Sequence, residues 1–170
     1  MSEAAELESL ARSARSAATG CHWRGVGHTY SYRRWRAIGA VIGICAGALS
    51  AIAGSALLSG SEANESWRFA AGVLGIVAAV LIAIDRGLGA SDAQAAHRSA
   101  ALLWRGLAQE FFQFDPHQPD DAAEARLRLN ELKQRRAQAE GSSEPLEKWA
   151  EEKADEGYQK AMAAKEAKDE

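Results

Sequence analysis

Cysteine and proline are scarce in this chain, with two of the first and three of the second among 170 residues. Cys21 and Cys45 have no metal-ligand spacing and are too few for a disulfide framework. That excludes a stapled secreted module and a zinc module. Period-two alternation of apolar and polar residues is missing, so strands are not expected. Also missing are a nucleophile elbow, a phosphate-cradling glycine loop after a strand, and any cluster of metal-binding side chains. No catalytic constellation emerges, and the chain reads as a non-enzyme without cofactor or metal. An apolar stretch of signal-peptide type is absent from the acidic, alanine-rich first 20 residues.

Charge, too, is missing from two long stretches. Ala37 to Ser61 holds no charged side chain, and neither does Phe69 to Ile84, with Asp85 and Arg86 following directly. A bilayer core about 30 Å thick is crossed by about 20 helical residues. Segments 38–58 and 67–88 meet that length. The expected fold is therefore all-α: a membrane protein with a two-helix transmembrane hairpin at 37–90, plus N- and C-terminal helices outside the bilayer. A buried hairpin in a soluble bundle is the alternative, but 25 uncharged residues in a row exceed what a soluble core helix carries.

The flanks suggest an orientation. Arg24, Arg33, Arg34 and Arg36 precede the first span, and Arg86, Arg98 and Arg105 follow the second. The turn from Ser59 to Ser66 carries acids and no base. Basic flanks favour the cytoplasmic side, which places both termini in the cytoplasm. Trp35 and Trp67 fall at span edges, where amphipathic rings sit well.

Within the first span, Gly39, Gly43, Gly47, Ala51, Ser55 and Ser59 recur every fourth residue and form one ridge of small side chains. Gly72, Gly75, Ala79 and Ala83 echo it in the second. Such ridges let helix backbones approach where lipid removes the hydrophobic driving force. Gly39, Gly43, Gly47 and Gly72 are thus candidate helix-packing positions, either inside one hairpin or between copies. Cys45 reads as a small packing residue. Asp85 reads as an interfacial acid beside Arg86, or as a gating acid. The span serines could wet a pore, although serine also bonds a preceding carbonyl.

Outside the spans, 1–36 reads as an N-terminal helix followed by an aromatic-basic segment. Bases and aromatics interleave from Cys21 to Arg36, a composition that suits phosphates and stacked bases or anionic headgroups. A helix at 91–115 should continue the second span, with Ala100, Leu103, Trp104, Leu107, Phe111 and Phe114 as its apolar stripe. Leu7, Leu10 and Ala14 are the natural partners of that stripe. His97 and His117 have no ligand-spaced partner and read as structural. A charged helical extension fills 116–170, opened by a capping box of Asp121 and Glu124. Ser143 and Pro145 should open its last helix.

Ala96, His97, Arg98, Ala101, Trp104 and Leu107, with Tyr32, Arg33, Arg34 and Trp35 before the first span, complete a pattern that resembles the SLATT family. These are the SMODS and SLOG-associating two-transmembrane effectors, and the resemblance covers roughly residues 5 to 115. It implies an anti-phage effector of the bacterial inner membrane that forms a pore. It also implies a nearby-encoded partner that synthesises or senses nucleotides. The expected assembly is a homo-oligomer, with a tetramer as the guess, because one hairpin cannot enclose water. The expected ligand is a nucleotide or oligonucleotide held by Arg24, Arg33, Arg34, Arg36, Arg98 and Arg105. Two alternatives use the same hairpin: a membrane-anchored interaction module and an ungated holin-like pore.

Overall fold

A computed structural model describes residues 3–58, 65–118 and 122–169. Five helices account for nearly all of them: α1 (Glu3–Leu58), α2 (Glu65–Leu88), α3 (Ala90–Phe112), α4 (Ala122–Ser142) and α5 (Lys148–Asp169). No strand occurs among the described residues. The chain divides into two compact units, one built from residues 1–32 and 96–170, the other from 33–95.

The first unit is a helical bundle. Alanine and cysteine positions of α1 (Ala14, Ala17, Ala18, Cys21) pack with Ala100, Trp104, Leu107, Ala108 and Phe111 of α3 and with Leu129 and Ala139 of α4. Small side chains on α1 leave room for the large ones on α3, which is how a core reaches close packing without voids. Leu10 and Phe114 pack against its edge, as the apolar stripe suggests. Leu103, expected in that stripe, is instead 43% exposed, and Ala101 and Ala108 take the inward positions beside Trp104 and Leu107.

Three features of this unit differ from expectation. First, the aromatic-basic segment is uninterrupted helix, although Gly20, Gly25 and Gly27 each disfavour one by about 1 kcal/mol. Close packing explains two of them: a Cβ on Gly25 would lie 3.2 Å from the Arg105 Cγ, and one on Gly27 would lie 3.1 Å from a Leu146 methyl. Second, the charged 116–170 region is part of the bundle rather than a separate extension. Ala150 and Ala154 of α5 are buried, and Tyr158 meets Trp23 edge-on at 5.7 Å. Third, α5 opens at Lys148, so Ser143 and Pro145 lie in the connection before it. Asp121 of the expected capping box lies outside the described residues, and Glu124 pairs with Arg128 at 2.7 Å.

The second unit holds α1 from residue 33 and α2, the two helices long and apolar enough to cross a membrane. Their withdrawn positions recur at alternating three- and four-residue steps: Gly39, Ile42, Ala46, Leu49 and Ala53 on α1, and Ala71, Leu74, Ala78, Leu81 and Asp85 on α2. That is the spacing of a coiled-coil seam, with Ala46 and Ala53, and Ala71 and Ala78, seven residues apart. Residues 59–64, most of the expected outer turn, lie outside the described residues. Helix α3 follows α2 directly, as expected, with Gly89 alone between them. Gly89 adopts φ +60°, a left-handed conformation that glycine takes without a Cβ clash, and its N–H bonds back to the Arg86 carbonyl at 3.2 Å.

Candidate functional site

In the apolar unit, the small-residue ridge and the seam are different faces. Only Gly39 of the predicted packing glycines meets the other helix: its Cβ position is 3.9 Å from the Asp85 Oδ1 and 4.0 Å from the Ala90 Cβ. Gly43, Gly47 and Gly72 have nothing within 4 Å, and Ala51 and Ser55 are exposed. Packing inside one hairpin is therefore corrected for these three glycines. Cys45 is likewise exposed rather than packed. The reason is geometric, because a four-residue row drifts off a 3.5-residue seam. Large apolar side chains flank the open ridge, with Val41 61% and Ile44 72% exposed. Ser55 donates to the Ile52 carbonyl at 2.8 Å, satisfying its hydroxyl within the helix.

Asp85 occupies a seam position, and its Oδ1 is buried without a hydrogen-bond partner. Arg86 is exposed, and no ion pair joins the two among the described residues. Burial of a carboxylate oxygen without a partner is costly.

The six candidate ligand arginines divide. Arg33, Arg34 and Arg36 belong to the apolar unit and Arg24, Arg98 and Arg105 to the bundle. Arg33, Arg34, Arg36 and Arg98 are exposed. Arg24 and Arg105 are built into the bundle. The Arg24 guanidinium lies 5.0 Å from the centroid of the Trp104 ring, and its Nη2 is 2.5 Å from the Glu140 carboxylate. Arg105 lays its stem on Gly25 and donates to the Thr29 hydroxyl at 3.1 Å. These two serve helix packing first, through cation–π and ion-pair contacts.

One arrangement was not legible in sequence. His28 on α1 and His97 on α3 are both buried, at 2% and 3% exposure, with Nδ1 to Nδ1 3.1 Å apart. One ring's N–H donates to the other, so the pair is satisfied only while at least one imidazole is neutral. Burial pushes His28 down to about 4, with His97 and Arg24 adding to the effect. Burial lowers His97 too, opposed by Glu147 and Glu144. Burial raises the Cys21 thiol, which keeps it protonated and inert. The backbone N–H of His117 donates to the Asp115 carboxylate at 2.9 Å.

A cavity of about 250 Å³ opens beside Arg24 and Trp104, with Trp23, His28 and the α4–α5 connection on its other sides. No group of three or more metal-binding side chains forms among the described residues. Comparisons with protein-family models, with curated proteins and with solved structures found no match to this chain.

Proposed function

We propose that this chain is a membrane effector that assembles as a homo-oligomeric, ion-conducting pore. In this reading it sits in a bacterial inner membrane with both termini in the cytoplasm, and a nucleotide or oligonucleotide opens the pore or holds it shut. Its output is anti-phage defence by permeabilising the cell's own membrane, in concert with a partner that makes or senses the nucleotide. The observation that carries the reading is the open face of the hairpin. The seam is filled from within, while the ridge of Gly43, Gly47, Ala51 and Ser55 stays uncovered between exposed aliphatic side chains. Lipid can cover the aliphatic side chains, and a second helix backbone is what a small-residue ridge accommodates. Several hairpins are needed to surround water. Ligand control rests on the exposed Arg33, Arg34, Arg36 and Arg98 and on the SLATT-like motif that contains Arg98.

Expression in bacteria tests the output. Induction should depolarise the membrane and arrest growth, and Gly43→Leu with Gly47→Leu should abolish both while the protein still reaches the membrane. Unchanged depolarisation by the double variant would remove the ridge from the account. For the ligand, Arg33→Ala with Arg34→Ala should weaken oligonucleotide binding and flatten its salt dependence. Equal affinity and equal slope would exclude those two arginines.

A second reading, a membrane-anchored interaction module, is favoured by one observation. Leu102, Phe112 and Leu127 are each about 60% exposed on the bundle. Leu102→Ser with Leu127→Ser would then abolish partner recovery, with conductance absent throughout.

A further inference from the structure

The bundle cavity has a lining that the nucleotide reading does not use. Its charged lining includes one guanidinium, Arg24, and the carboxylates of Glu140, Glu144 and Glu151. Arg24 is paired with Glu140. Neither Glu144 nor Glu151 forms an ion pair among the described residues, so two negative charges stay uncompensated. A phosphate entering here meets net repulsion, whereas an ammonium meets two carboxylates. The indole of Trp23 adds an aromatic wall, and aromatic faces attract cations as well as apolar groups.

The inner wall asks for something different. Trp104 lines the cavity, is 1% exposed, and its Nε1–H has no hydrogen-bond partner. That nitrogen has almost no accessible surface, so Trp104 offers the cavity ring surface rather than a donor. Beside it, the Arg24 guanidinium has five N–H donors, more than one carboxylate partner uses. Leu146 and Pro145 supply apolar surface. The lining therefore offers donors from Arg24, acceptors from Glu144 and Glu151, and an apolar flank. At about 250 Å³ it falls below the roughly 300–1,000 Å³ of sites for drug-sized ligands, so a small molecule fits and a whole nucleotide does not.

We infer that this cavity is a binding site for a small zwitterion, a free amino acid with a large apolar side chain. Its ammonium is held by Glu144 and Glu151, its carboxylate by Arg24, and its side chain lies against Trp23 and Leu146. The inference does not depend on pore formation, because the site lies wholly within the bundle unit.

Calorimetric titration of the full chain in detergent tests it with three probes: L-phenylalanine, 2-phenylethylamine and 3-phenylpropionate. Saturable one-to-one binding of phenylalanine is expected, with at least tenfold weaker binding of the amine and of the acid. Glu144→Gln with Glu151→Gln should weaken phenylalanine binding at least tenfold and leave the helical circular dichroism unchanged, because both side chains are exposed. Absent saturable binding, amine binding as tight as that of phenylalanine, or an unaffected double variant would each overturn the inference. Binding of phenylalanine by a protein that conducts no ions would uphold it and count against the pore alone.

Discussion

Trp104 concentrates much of what single side chains contribute to the bundle. It is among the largest fully buried residues, packs with α1 and α4, and holds Arg24 on its face. Trp104→Ala should destabilise the bundle by about 3–5 kcal/mol, the range for truncating a buried aromatic. Denaturant titration followed by circular dichroism measures this, and a loss under 1 kcal/mol would contradict the packing described. His28 and His97 set the pH response. His28 falls from 6.5 in the unfolded chain to about 4 in the folded one. Between those values the unfolded chain binds more protons, so acidification favours unfolding. Stability should be flat above pH 7 and fall as pH drops from about 6.5 to about 4. For this group the loss is at most about 3 kcal/mol. His28→Gln should flatten that slope relative to the parent, and an identical slope in the variant would acquit the pair. Sequence gave no sign of the pair, because 69 residues separate its members and neither has a ligand-spaced neighbour.

At the scale of elements, α1 and α2 are legible because an uncharged run of bilayer length has few other uses. The face by which they meet is not legible. With apolar residues all round each helix, a seam of alanine and leucine at three- and four-residue steps stands out less than a regular row of glycines. The structure separates the two, and substitution should do the same. Ala78→Leu adds bulk to the buried seam, where overpacking costs about 1–3 kcal/mol, and should loosen the hairpin. Gly43→Leu points into open space and should leave the hairpin intact while reducing association between copies. Cysteine cross-linking of Gly43→Cys and Ala51→Cys in a Cys45→Ser background measures that association in membranes. Cross-linking no greater than for a cysteine at Ala46 would show the ridge unused. Helix α1 carries a related lesson. Gly25 and Gly27 read as interruptions locally, and only the contacts of Arg105 and Leu146 across from them explain an unbroken helix.

Over the whole molecule, the two-unit division follows the hydropathy of the chain, with the two long uncharged runs in one unit and the highly charged α4 and α5 in the other. The membership of the bundle did not emerge from that pattern. Alternating charges along α4 and α5 suggest solvated faces, and the buried Ala125, Leu129, Ala139, Ala150 and Ala154 are too small to announce a core position. Leu129 and Ala139 pack with α1 and α3, and Leu146 and Ala150 lie against Gly27, which ties the C-terminal helices to the segment containing Arg24 and His28. A ligand that binds the bundle differently in two states can then shift the equilibrium of the molecule, by no more than its difference in affinity for them.

If copies of this hairpin form a ligand-controlled conducting path, potassium will leave proteoliposomes that contain the protein. Purified protein stripped of nucleic acid is compared with the same protein given defined nucleotides and short oligonucleotides. Flux is expected to switch, in either direction, with one ligand and to vanish in the Gly43→Leu, Gly47→Leu variant. Absence of flux under every condition, or flux indifferent to every ligand and to the ridge, would contradict it.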